Sequence, residues 1–304
     1  MVPLASGFDL PQRQRRQRQA GVSDRPQDWL GNTPLLDLDD PKLRLKARSL
    51  VQLCRTDRDK ALAIYRFVKQ LPYTKRVKLK YPTARDVLNA RGGDGDDKVT
   101  LLIALMRSVG IPARIRYMEM RGEMLRGLIP GTTPAARPLA EFWLGRWVRT
   151  DTFIFDAQYV DAARQYLKAN GWTCGWGIHI DAQLLWDGKN DAFLGGVPTE
   201  RDPMLTRMLC VVSDPLQLVS ASSRAEGLRY RRSLRALQWN ALAPTMIRAI
   251  HELRASRRPD PAAHSALASA PCSDNWAPNQ RWIAVTSLMS LVPKTISPPS
   301  GSGL

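Results

Sequence analysis

Cysteine and histidine are scarce in this 304-residue chain, with four of the first and three of the second. Cys54, Cys174, Cys210 and Cys272 show no C-x-x-C spacing and no neighbouring histidine cluster, so neither a zinc site nor a disulfide framework organises the fold. No metal and no cofactor are expected. Long apolar runs are also missing. Nothing reaches the 18 residues of a membrane span, and the N-terminus has no apolar segment ahead of a small-residue cleavage site. The expectation is a chain without a membrane span, kept in the reducing cytoplasm. Acidic residues are few, 28 Asp and Glu against 45 Lys and Arg, which gives a formal charge of +17. The excess is not a tail effect, because residues 39–160 hold 24 basic and 13 acidic side chains. This balance favours polyanionic partners such as nucleic acid. A solvated basic surface explains it as well, since no basic motif interleaved with aromatics and no recognition helix stands out.

The apolar fraction of 44% is enough for a globular core. Three regions are expected: a disordered basic arm over 1–34, a main domain with an accessory region over 35–217, and a basic helical segment with a mobile tail over 218–304. The arm is polar, broken by Pro and Gly, and carries the basic run Arg13 to Arg18. Order is expected from Leu35. Asp40 before Pro41 signals a first helix that ends at Cys54, and Thr56 with Asp59 signals a second that stops at Pro72. Thr83 opens a short helix to Ala90. Gly92 and Gly93 then turn the chain into a helix from Gly95 to Val109, which Gly110 ends. Ala113 to Met120 reads as a strand, and Leu139 to Leu144 with Trp147 to Thr150 as a hairpin about Gly145-Arg146. A helix from Tyr159 to Ala169 follows. The final helical pattern, Tyr230 to Arg254, contains Pro244 and is expected to kink or split there.

The segment from Gly92 to Arg114 carries the most specific pattern. Gly93-Asp94, Lys98, Gly110-Ile111-Pro112-Ala113-Arg114, Glu141, Gly145-Arg146-Trp147-Val148 and Asp151 occur in that order. The combination resembles the transglutaminase-like, papain-related cysteine enzymes over roughly residues 35–160. The resemblance implies an α+β fold in which a helix packs on an antiparallel sheet, with a helical N-terminal lead-in and a C-terminal extension. It implies a Cys, His, Asp triad for thiol-dependent acyl transfer or amide hydrolysis. A thiolate at a helix N-terminus is favoured by the dipole and the unpaired N–H groups, an imidazole takes its proton, and a carboxylate orients the ring.

Two of those three positions are changed here. Gly95 stands where the cysteine belongs, and Arg137, four residues before Glu141, stands where the histidine belongs; only Asp151 matches. An arginine cannot act as a base near neutral pH. Arg137 and Asp151 are expected either to form an ion pair in place of the His–Asp contact or, if the segment before Leu139 is a displaced loop, to leave Arg137 in water. Thr100 is rotated away from Gly95 on the helix, and Cys54 and Cys210 read as packed core thiols. Cys174 and His179 form the one close Cys/His pair and are expected to be structural, while His251 and His264 are expected at the surface. Asp94, Asp96 and Asp97 lack calcium-loop spacing and suit a helix N-terminus instead. The leading expectation is a catalytically inactive pseudoenzyme that binds or scaffolds an unknown protein or peptide. Two others stand beside it: an active cysteine-protease-type amidase, peptidase or transglutaminase with an unrecognised nucleophile, and a basic nucleic-acid-associated protein.

Overall fold

The computed structural model describes residues 22–78, 80–129, 134–218 and 232–256, all within one unit that ends at Arg257. The Arg13 to Arg18 run, Cys272, His264 and the Pro- and Ser-rich end lie outside the described residues.

The helical lead-in forms as its caps dictate. Helix α1 (Pro41–Val51) starts at Asp40, whose carboxylate accepts the Leu43 N–H at 2.9 Å, and α2 (Asp57–Gln70) starts at Thr56, which accepts the Asp59 N–H at 3.1 Å. Helix α3 (Ala84–Ala90) has a full capping box between Thr83 and Asp86. Helix α4 (Gly95–Ser108) has another between Asp94 and Asp97, and every residue from Asp97 to Arg107 is buried. A helix buried all round sits in the middle of a core. Accordingly, α4 packs against α1, α2 and α3 and against the first two strands of the sheet. Val99, Leu101, Leu102, Ile103, Leu105 and Met106 are fully enclosed, each worth roughly 1.5–3 kcal/mol of burial. This is the rigid post on which the site stands.

The sheet contains β1 (Ala113–Met120), β2 (Ala135–Trp143), β3 (Trp147–Thr150) and a last strand at Leu205–Val212 that is reached only after α5 (Ala157–Ala169) and a two-stranded ribbon. The ribbon pairs β4 (Cys174–Gly175) with β5 (Ile178–His179), so the last strand is β6. The order is β3-β2-β1-β6, and each strand of this sheet runs antiparallel to its neighbours. The fold is α+β, with a helix packed on an antiparallel sheet. Among the described residues no helix is long and apolar enough to cross a membrane.

Four local expectations need correction. Strand β2 starts at Ala135 rather than Leu139, so Arg137 and Pro138 lie inside it. The proline is tolerated because β3 pairs only with Ala140 to Trp143, leaving Pro138 with a single strand neighbour. Order begins before Leu35: Pro26–Trp29 forms a turn of 3-10 helix whose buried Trp29 lies against the Arg114 guanidinium. Helix α6 (Arg232–Ala255) runs unbroken through Pro244, held by the burial of Ala243, Met246, Ile250 and Leu253 on one stripe. Cys54 and Cys210 are half-buried rather than enclosed in the core.

Candidate functional site

The N-terminus of α4 is built by two adjacent glycines with different reasons to be there. A Cβ on Gly93 would stand 2.4 Å from the Asp97 Cβ, so the capping box closes only if residue 93 has no side chain. Gly95 is under no such constraint. A Cβ there would meet its nearest atom, the Pro138 Cγ, at 3.4 Å, and its backbone lies outside the left-handed region. Neither space nor conformation asks for glycine at this position, where the sequence resemblance implies cysteine.

Arg137 projects from β2 into the interior and is 3% exposed. Its Nη1 donates to Asp151 Oδ2 at 3.0 Å, and its Nη2 donates to the carbonyl oxygen of Gly177. Asp151, just beyond β3, accepts the Leu194 N–H on its other oxygen at 2.7 Å. Burial pushes the Asp151 carboxyl above its usual range, while the Arg137 charge and the Leu194 N–H restrain the rise. The structure therefore pairs Arg137 with Asp151, and brings Gly95 and Arg137 to the same chamber wall. That chamber has a volume of about 500 Å³.

The acidic cluster beside Gly95 is neutralised by lysines. Lys75 Nζ stands 2.6 Å from Asp94 Oδ2, and Lys78 Nζ reaches Asp94 at 2.8 Å and Asp97 at 2.5 Å. Burial alone would raise the Asp94 carboxyl, but the charges of Lys75 and Lys78 overcome it and hold Asp94 well below its usual range. Asp97 goes the other way, to about 6, because burial and the Asp94 charge outweigh the help from Lys78. Asp96 faces the chamber, accepts the Tyr117 hydroxyl at 2.8 Å, and is likewise pushed up by burial and by Asp94.

Much of the remaining motif is structural. Arg114 Nε and Arg116 Nε bind the two oxygens of the buried Glu141 at 2.6 and 2.5 Å, and the Arg114 guanidinium stacks on Trp147 at 3.9 Å. These contacts tie β1, β2 and β3 together. Lys98 is fully buried and donates to the Leu71 carbonyl at 2.8 Å, clipping α4 to the end of α2. Gly110 takes a φ of +82°, which suits glycine at a helix end.

The other residues singled out in the sequence stand apart from the chamber wall. Thr100 turns back to the Asp96 carbonyl at 2.7 Å. Cys174 and His179 are cross-strand partners in the small ribbon, with Cys174 packed beside Met120 and Met124. His251 is exposed on α6.

Three contributors were not legible beforehand: the Gly177 carbonyl, the lysines of the 75–78 segment, and α6. Asn240 of α6 accepts the Lys78 N–H and donates to the Lys78 carbonyl, both at 2.7 Å. Arg254 reaches Asp156 at 2.6 Å and the Tyr73 carbonyl at 3.1 Å. A basic helical segment was visible in the sequence, but nothing in it signalled these partners more than 90 residues away.

Residues 45–152 match the model of the transglutaminase-like superfamily. That stretch is similar to the transglutaminase-like core. The matched stretch runs from α1 to Thr152, just past Asp151, and contains Gly95, Arg137 and Asp151. A crystal structure of a proposed cysteine protease from Cytophaga hutchinsonii is similar at 23% identity and a TM-score of 0.35. The match covers 47% of this chain and 47% of that one. No curated protein matches the chain.

Proposed function

We propose that this transglutaminase-like protein has lost thiol chemistry and acts by binding. The observation that carries the reading is the Arg137–Asp151 pair beside Gly95. Acyl transfer by this fold needs a thiolate to attack, a base to take its proton, and N–H groups to hold the oxyanion. Glycine offers no nucleophile, and a guanidinium bound to a carboxylate stays charged and takes no proton. The chamber wall offers little in exchange. Among the described residues that line it there is no Ser, Thr, Cys or His. Of its amines, Lys78 is held charged by Asp94 and Asp97 and so has no lone pair for attack.

The test is direct. Purified full-length protein incubated with a glutamine-containing peptide, with and without a primary amine, is expected to show neither ammonia release nor amine incorporation. Intact mass after exposure to a reactive p-nitrophenyl ester is expected to be unchanged. An acyl adduct on any chamber residue would overturn the proposal.

A further inference from the structure

The chamber joins a large apolar surface to one polar end. Met120, Leu125, Ile129, Ile154 and Met246 belong to the apolar part. The volume of about 500 Å³ lies in the range of about 300–1,000 Å³ typical of small-molecule sites. Helix α6 supplies Asn240 and Met246 to the wall, and Asn240 is fastened to both backbone groups of Lys78. An extended peptide needs an open groove or a free strand edge. A wall completed by a clasped helix favours a compact ligand.

At the polar end the buried ions already have partners. Lys75 and Lys78 hold Asp94, Lys78 also holds Asp97, and Arg137 holds Asp151. Two hydrogen-bonding positions are left over. The first is the hydroxyl of Tyr73, a chamber-lining residue that is only 5% exposed. Its backbone N–H and carbonyl are bonded to Asp156 and Arg254, but its hydroxyl makes no hydrogen bond among the described residues. The ring is held edge-on against Phe155 and Tyr159, with centroids 4.5 and 5.2 Å away. The charges that act on the hydroxyl most are those of Asp94 and Arg137, which sets it at the Gly95 end of the chamber. Burial holds its ionisation well above the usual range, so it stays an O–H donor. The second position is Asp96. One of its oxygens accepts the Tyr117 hydroxyl at 2.8 Å, and the other has no hydrogen-bond partner among the described residues.

A buried hydroxyl without a partner is costly, and a ligand oxygen that accepts from Tyr73 removes the penalty. The neighbouring charges select the kind of ligand. An ammonium ion brought here meets Lys75, Lys78 and Arg137, and a carboxylate meets Asp94, Asp96 and Asp97. A hydroxyl avoids both repulsions. It accepts from Tyr73 and donates to the open oxygen of Asp96, or accepts from Asp96 when burial and the Asp94 charge keep that carboxyl protonated.

We infer that the chamber binds a compact apolar alcohol, with its hydroxyl at Tyr73 and Asp96 and its hydrocarbon part against Met120, Leu125, Ile129 and Met246. The inference rests on the reading of the chain as a non-catalytic binding protein and names its ligand class. The hydroxyl fills both open hydrogen-bonding positions without adding a charge, and the hydrocarbon leaves water for the apolar wall.

Isothermal titration of the full-length protein with 1-octanol, octanoate and octylamine tests this. Octanol is expected to bind at least about tenfold more tightly than either charged analogue. Octanoate or octylamine binding as tightly as octanol, or no octanol binding at roughly millimolar concentration, would overturn the assignment. Tyr73→Phe removes the hydroxyl and keeps the ring. It is expected to weaken octanol about fivefold, and to leave the urea midpoint unchanged or raised because the free protein loses no hydrogen bond. Unchanged octanol affinity in this variant would overturn the inference. If Tyr73→Phe does not fold by circular dichroism, Met246→Trp decides from the other wall, since filling the chamber is expected to weaken octanol about tenfold. Unchanged binding in Met246→Trp places the ligand elsewhere and overturns the inference. Absence of octanol binding leaves the non-catalytic reading standing, whereas amide turnover would remove that reading whatever the chamber binds.

Discussion

Gly93 and Gly95 differ in what a methyl group would do. At Gly95 a Cβ has ordinary contact distances and helical backbone. Gly95→Ala is therefore expected to stabilise the protein by up to about 1 kcal/mol, chiefly by restricting the unfolded chain. Gly93→Ala is expected to cost more than about 1 kcal/mol, because the Asp97 carboxylate must leave the capping box. Urea denaturation of the two variants checks the contrast, and equal effects would mean that the two positions are packed alike. Arg137 has a larger stake. Arg137→Leu leaves the Asp151 charge buried without its cation, and a loss of about 3–5 kcal/mol is expected. The cost has a pH signature. Without the guanidinium the Asp151 carboxyl rises further above its unfolded value, so the folded state binds the extra proton and stability falls as pH rises through that interval. The variant is expected to be less impaired near pH 4 than near pH 8, and a pH-independent loss would show that Arg137 acts by packing alone.

Among the elements, α2 and α4 were legible because their signals are local. Caps at Asp40, Thr56, Thr83 and Asp94 are all occupied as the sequence indicates. Strand β2 was cut short because Pro134 and Pro138 read as a loop, and only its one-sided pairing with β1 explains how a proline sits in it. Strand β6 was missed altogether. Its Leu205 to Val212 pattern is half-buried without clean alternation, and its partner β1 lies about 90 residues earlier in the chain. The buried lysines show the same limit. Lys98 could be matched to the motif, but not its carbonyl partner; Lys69, which donates to the Thr152 and Phe155 carbonyls at 2.8 Å each, carried no signal. Burial pushes Lys69 down to about 8, although Asp156 and Asp151 favour its charged form. The unfolded chain therefore holds this proton where the folded one has released it, and stability is expected to rise from about pH 8 toward 10. Above that, the unfolded tyrosines ionise near pH 10 while Tyr65 is held up to about 12, which reverses the slope. Chemical denaturation across this range should show the rise, and Lys69→Met should flatten it. A parent profile that falls from pH 8 to 10 would contradict the account.

For the whole molecule, the transglutaminase-like pattern was readable because its residues hold the fold together as well as serve chemistry. Arg114, Glu141, Trp147 and Lys98 are buried cross-links whose loss would cost stability whether or not any reaction takes place. They keep the core recognisable after Gly95 and Arg137 depart from the pattern. The net basic charge was a poorer guide. Several of its cations, among them Lys75, Lys78, Arg114 and Arg137, are paired in the interior. Helix α6 changes the reading of the cleft most, since a segment outside the family match supplies part of its wall. Asn240→Ala is expected to speed hydrogen exchange at the Lys78 amide while leaving α4 protected, because only the clasp on the rim is opened. The proposed loss of thiol chemistry rests on the missing side chain at Gly95 and on the guanidinium of Arg137 bound to Asp151. Thiol-dependent hydrolysis of an activated ester, compared between the parent, Gly95→Cys and Gly95→Cys with Arg137→His, tests it most directly. The account predicts no turnover in the first two and iodoacetamide-sensitive turnover in the third; turnover by the parent would contradict it.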